Sequence, residues 1–284
     1  MLTPDELRQI GRLHAQVGRR VDALLAGEYR SAFRGSGMEF EEVRPYSPGD
    51  DIRRIDWNVS ARTGDPFLKV FREERELTML LIVDRSGSVR FGGGGRDGRT
   101  DKRLQMARVA GALSYAALRS SDRVGLITFS DGVEQYLPPR KTRGHAWSVI
   151  RAVYESVQRD RGTNLQAAIV KAQAVLKRRA AVVIVSDFLG PDTWVDALRV
   201  LQKRHRVHAF LVHDPAEAGI PDLGLVTVAD AETGAVRTVD ARRWVAEAAV
   251  ERRLANLRRL GVRVSAVSTA DDAFQRMHTH FRAR

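Results

Sequence analysis

Three short stretches of this chain carry residue types that could do chemistry together. Asp84-Arg85-Ser86-Gly87-Ser88 offers one carboxylate and two hydroxyls from a single tight loop, and alternation can turn Asp84, Ser86 and Ser88 toward one point. Thr163, at an expected helix start, adds an oxygen from another loop, and Asp187 adds a second carboxylate. Both aspartates end continuous apolar runs, at residues 77–83 and 180–185. Runs apolar on both faces mark strands buried on both sides. A carboxylate at such a strand end is costly to desolvate unless it is paired or bound to a cation. Oxygen-only ligands, few of them charged, suit Mg²⁺, with Mn²⁺ as a near substitute. The competing reading is structural, because Asp and Ser are ordinary turn residues and Thr163 would serve equally as an N-cap. The conjunction of the pieces favours the metal.

The elements that must position these groups are legible from periodicity. Residues 4–26 form an amphipathic pattern, with Leu7, Ile10, Leu13, Val17 and Val21 at three- and four-residue steps. Residues 27–76 are rich in turn chemistry, with extended candidates at 39–45 and 67–71, and predict an irregular or β-rich appendage. From residue 77 onward strands and helices alternate, with helices expected near 102–119, 146–158, 165–177, 192–205, 241–260 and 271–282. Strands are expected at 77–83, 123–129, 180–185, 207–213 and 262–267, with an edge strand at 133–137 and a hairpin at 225–239. This predicts a doubly wound, Rossmann-like α/β fold with a mostly parallel sheet, divided into an N-terminal helix and appendage (1–76) and an α/β domain (77–284). Ligands of such sheets sit outside the carboxyl strand ends, where strand order reverses.

The Asp84–Ser88 loop, Thr163 and Asp187, in that order, resemble the metal-ion-dependent adhesion site of von Willebrand factor A domains. The preceding segment is more particular: Phe33-Arg34-Gly35-Ser36-Gly37, then Tyr46-Ser47-Pro48-Gly49-Asp50-Asp51, then Ile55-Asp56-Trp57 and Ser60-Ala61-Arg62. It resembles the bacterial and archaeal family called domain of unknown function 58, and the resemblance runs from about Gly27 to the C-terminus. It implies a von Willebrand factor A-like fold in which Ser86, Ser88 and Thr163 hold the metal directly or through water. Asp84 and Asp187 would then act mostly from behind these ligands. It implies a protein-binding module rather than an enzyme, with a MoxR-type AAA+ ATPase or its client as partner. Val89 and Asn164 depart from the family's common methionine and aspartate, and the second change leaves the metal preference open.

Composition bounds the alternatives. The chain has 284 residues, 43% apolar, and no cysteine, which excludes disulfides and thiolate sites. Its net charge of +12, mostly arginine, raises a basic nucleic-acid-binding protein as one alternative. Basic residues are interspersed with acids in nearly every expected helix, so specific nucleic-acid binding is not expected. A metal-dependent hydrolase using Asp84 and Asp187 is another alternative, without an evident nucleophile or general base. No run approaches the roughly 20 apolar residues that span a bilayer, and residues 1–25 lack a signal-like apolar core. A cytoplasmic location is the expectation. Trp57 is expected to bury against the α/β domain, and Asp50, Asp51 and Asp56 to pair with Arg53, Arg54 or Arg62. Of the scattered histidines, His205 and His208 read as packing or surface residues, and His278 and His280, on different faces of the last helix, do not form a metal pair.

Overall fold

The computed structural model describes residues 4–24, 29, 33, 38–73, 76–90, 100–155, 162–218, 224–229, 235–240 and 250–282. Two compact units are present: residues 1–33 together with 78–284, and residues 34–77.

The larger unit is built on six strands: β3 (Thr78–Asp84), β4 (Arg123–Phe129), β5 (Val133–Arg140), β6 (Ala181–Ser186), β7 (Arg206–His213) and β10 (Arg263–Ser268). Their spatial order is β10-β7-β6-β3-β4-β5. All neighbours are parallel except the β4–β5 pair at the edge. Met79 to Val83 and Ala181 to Val185 are all essentially inaccessible, because helices cover both faces. Each such aliphatic side chain contributes about 1.5–3 kcal/mol by leaving water. The fold is therefore mixed α/β with a largely parallel central sheet, as the alternating pattern predicts.

Five of the helices that cover the sheet fall within about five residues of the expected spans: α3 (Lys102–Arg119), α4 (Arg143–Tyr154), α5 (Leu165–Val175), α6 (Val195–Arg204) and α8 (Ala273–Arg282). Of the expected 241–260 helix, only α7 (Val250–Arg259) lies within the described residues. Leu165, Ile169, Leu198, Leu254 and Leu257 from α5, α6 and α7 join Ile82, Ile184 and Leu211 in one core. The glycine-rich stretch 92–98 lies outside the described residues. The hairpin strands β8 (Leu225–Ala229) and β9 (Val236–Asp240) pair antiparallel as a separate two-stranded sheet.

The N-terminal helix α1 (Pro4–Leu24) packs with the α/β elements. Its Ile10, Leu13, Val17 and Val21 are buried, and it belongs to the larger unit, where it contacts α3, α4 and α8. The apolar stripe required a partner but could not say which one, and α3 supplies it. Gly111 permits the approach: a β-carbon there would come within 3.0 Å of Ile150 and 3.6 Å of Val17.

The smaller unit pairs β1 (Met38–Pro45) antiparallel with β2 (Phe67–Glu73), and between them lies the short helix α2 (Trp57–Thr63). Its aspartates differ from expectation. Asp50 takes a bidentate ion pair from Arg44 at 2.6 and 2.8 Å and accepts from Ser47 N. Asp51 accepts from Arg53 N, and Asp56 caps α2 through Asn58 N and Val59 N while pairing with Lys69. Arginines near in sequence lose these contacts because short turns aim the carboxylates at backbone N–H groups. Trp57, at the start of α2, is 71% exposed.

Candidate functional site

β3 and β6 are neighbours, with Val83 opposite Val185, so their carboxyl ends emerge side by side. The chain leaves β3 toward β4 on one side, and β6 lies on the other. Strand order therefore reverses between β3 and β6, and the crevice expected at such a reversal is bounded by Asp84 and Asp187.

Both carboxylates are buried but held differently. Asp84 Oδ1 accepts from Ser86 N at 2.8 Å, and its Oδ2 accepts from Ser186 Oγ at 2.6 Å. The first bond closes the loop so that Ser86 and Ser88 face the crevice, their Oγ atoms 3.0 Å apart. Ser88 Oγ donates to Asp187 Oδ2 at 2.8 Å, and Leu189 N donates to Asp187 Oδ1 at 3.1 Å. The bend after Asp187 is strained, with Phe188 at φ 53° and Gly190 at φ +111°. A bulky residue with positive φ costs on the order of 1–3 kcal/mol and persists only where its surroundings enforce it. Here Phe188 N donates to Ser186 Oγ at 2.9 Å, and the ring packs against Trp194.

Thr163 approaches from the loop before α5. Its Cβ is 3.6 Å from where a β-carbon on Gly190 would stand, which places it beside the Asp187–Gly190 bend. It is not the N-cap of α5, a role that falls to Asn164, whose side chain accepts from Ala167 N at 3.0 Å. Asp84, Ser86, Ser88 and Asp187 thus form one hydrogen-bonded cluster, with Thr163 at its border.

Three further residues were missed by sequence reasoning. Lys102, the first residue of α3, has no accessible side-chain surface; its Nζ lies 2.8 Å from Asp187 Oδ2 and 2.8 Å from Glu217 Oε1. Glu217 Oε2 in turn pairs with Arg253 Nη2 at 2.9 Å, and Arg253 Nη1 donates to the carbonyl oxygen of Asp187. The ring Asp187–Lys102–Glu217–Arg253 closes on itself. One signal could have pointed to it. A lysine in the first turn of a helix opposes the macrodipole and needs a reason to be there.

The electrostatics follow from this asymmetry. Burial pushes the Asp84 carboxyl up, and the nearby charge of Asp187 adds to the effect, bringing it to about 7. Burial acts on Asp187 in the same sense, but the Lys102 ammonium outweighs it and holds Asp187 below the usual carboxylate range. The carboxylates of Asp84, Asp187 and Glu217 thus stand with two cations, Lys102 and Arg253, and among the described residues Asp84 is the one of the three without a basic partner. Such a group needs a proton or a cation.

The donor set fits a small divalent ion. Adjacent ligands of an octahedral Mg²⁺ at about 2.0–2.1 Å stand roughly 3 Å apart, which matches the separation of the two serine hydroxyls. Among the described residues no three His, Cys, Asp or Glu side chains are grouped to hold a metal, so any ion here would rest mainly on hydroxyls.

Fold and cluster together define a mixed α/β protein with a carboxylate–hydroxyl cluster at the switch point of its parallel sheet. The chain belongs to the family described as Protein of unknown function DUF58, whose model matches residues 42–259. Uncharacterized protein Rv1480 of Mycobacterium tuberculosis is 35% identical over 227 residues, covering 79% of this chain and 70% of the relative. Uncharacterized protein MAV169 of Mycobacterium avium is 36% identical over 110 residues, covering 37% of this chain and 65% of the relative. Among solved structures, the conserved hypothetical protein BatB from Bacteroides thetaiotaomicron is similar at a TM-score of 0.49 and 16% identity, over 72% of this chain and 96% of that one. An aerotolerance-related membrane protein from Bacteroides fragilis is similar at 0.49 and 17%, over 73% and 100%. No described helix of the present chain is long and apolar enough to cross a membrane.

Proposed function

We propose that this protein is a divalent-metal-dependent protein-binding module of von Willebrand factor A-like type, not an enzyme. The observation that carries the reading is the pair of serine hydroxyls 3.0 Å apart beside a buried carboxylate that lacks a basic partner. Ser86, Ser88 and Thr163 would hold Mg²⁺ or Mn²⁺, and Asp84 and Asp187 would orient those ligands or waters. A bound ion supplies a Lewis-acidic centre at which an aspartate or glutamate of a partner can complete the coordination. Asp84, through Ser86 N, fixes the loop, and Asp187 fixes Ser88 by accepting its hydroxyl proton. Because hydroxyls rather than carboxylates dominate the ligand set, little of the ion's charge is cancelled before a partner arrives. The family resemblance favours a MoxR-type AAA+ ATPase or its client as that partner, at a cytoplasmic location.

Two measurements test this. Mg²⁺ or Mn²⁺ should raise the melting temperature, as a ligand of the folded state does by mass action. Asp84→Ala, or Ser86→Ala with Ser88→Ala, should abolish that rise. Calorimetry with the purified ATPase should give binding in Mg²⁺ that EDTA removes. Metal-indifferent stability and binding would dispose of the reading.

A second contact surface is favoured by one observation on the smaller unit. Trp57 is 71% and Ile52 65% exposed, and exposed tryptophans are frequent anchors of interfaces. Trp57→Ala should weaken the ATPase complex at least about tenfold, a typical hot-spot loss, with the melting temperature of the free protein unchanged. An unchanged affinity would confine the contact to the metal end of the sheet.

A further inference from the structure

The buried ring around Lys102 has a consequence for the site it adjoins. Lys102 Nζ and Ser88 Oγ both bond the same oxygen, Asp187 Oδ2, each at 2.8 Å. Asp187 Oδ1 is taken by Leu189 N, so every Asp187 oxygen already has a protein partner. A carboxylate held in this way has its charge neutralised by an ammonium that cannot leave, because Glu217 and Arg253 close the ring behind it. Asp84, on the opposite wall, receives a backbone N–H and neutral hydroxyls, and no cation among the described residues. The two aspartates look equivalent in sequence and are unequal in charge.

We propose that Lys102 is a fixed internal cation that sets the charge of this site. It neutralises Asp187, leaves Asp84 as the one uncompensated carboxylate, and so keeps a bound divalent ion weakly held and open to a partner's carboxylate. The inference rests on the metal-binding reading above and assigns Lys102 a positioning and affinity-setting role. Like charges this close in a buried setting repel strongly, so removing one should be visible in affinity. Charge is separated from shape by two variants of opposite sign. Lys102→Met keeps much of the side-chain volume and deletes the positive charge; Glu217→Gln keeps the volume and deletes a negative one.

The test is calorimetric titration of the full chain with Mn²⁺ alone, with melting temperatures measured alongside. Lys102→Met should bind Mn²⁺ at least about tenfold more tightly than the wild type, and Glu217→Gln should bind it more weakly. The double variant, Lys102→Met with Glu217→Gln, should return toward the wild-type value, and it serves as the soluble alternative if Lys102→Met alone does not fold. Shifts in the same direction for both single variants, or a double variant bound no more tightly than Glu217→Gln, would overturn the proposal. If the wild type binds Mn²⁺ and Lys102→Met is no tighter, only the role of Lys102 fails. If neither binds, the metal reading fails with it. If only Lys102→Met binds, the lysine stands and the wild-type metal site falls.

Discussion

Asp187→Ala should destabilise the metal-free protein by about 3–5 kcal/mol, whereas Asp84→Asn should leave its stability unchanged or raise it by about 1 kcal/mol. Breaking a buried pair by removing one partner strands the other charge. Without Asp187 the Lys102 ammonium retains Glu217, which is already shared with Arg253, and Ser88 loses its acceptor. Asp84 has no cation to strand, and an asparagine there can still accept from Ser86 N while its amide faces the Ser186 hydroxyl. Urea denaturation of both variants in EDTA, at neutral pH, reads the contrast directly. Equal losses at the two positions would mean that the site carries no such asymmetry.

Acid should unfold this protein earlier than its carboxylates alone require. His208 Nδ1 faces His280 Nε2 at 3.0 Å, and Ser265 Oγ meets the other nitrogen of His280 at 2.8 Å. Phe33, Phe210 and Phe281 surround the pair, and the residues are 6% and 3% exposed, too little for water to solvate an imidazolium. Burial lowers His208 to about 4, with Arg263 and Arg206 adding to the effect, and burial lowers His280 further, with His208 and Arg263 nearby. Both folded values lie below the ordinary 6.5, so the unfolded chain takes up protons first. The pair's contribution is fully present above pH 6.5 and is lost as pH falls through the folded values. Each group contributes about 1.4 kcal/mol per pH unit, so the loss between pH 6.5 and 5 is roughly 4 kcal/mol for the two. Urea midpoints from pH 7.5 to 5 would measure it, and His280→Gln should roughly halve the slope. A slope the variant leaves unchanged would place the acid sensitivity elsewhere.

Much of the architecture was legible in the residues themselves. The apolar runs before Asp84 and Asp187 read as doubly buried strands because a parallel strand covered on both faces has no room for polar side chains. The end of each run fixed where each aspartate would emerge, and alternation within Asp84–Ser88 fixed which side chains share a direction. These are properties of one element at a time, with periods of 2 and 3.6 that the chain carries in its order. The class of fold follows from them.

What the residues could not give is which element meets which. Lys102 in α3 could not be assigned to the site from sequence, because its partners are 85 and 115 positions away and only the packing of α3 against the switch point brings them to it. The same holds for His208 and His280, separated by 72 residues and joined where α8 covers β7 and β10. The stripe of α1 required burial without naming α3 as the cover. Charge behaves likewise. Asp84 and Asp187 have the same chemistry in the sequence, and tertiary structure alone decides that one is neutralised by an ammonium and the other is not, since desolvation and Coulomb terms depend on distance in space.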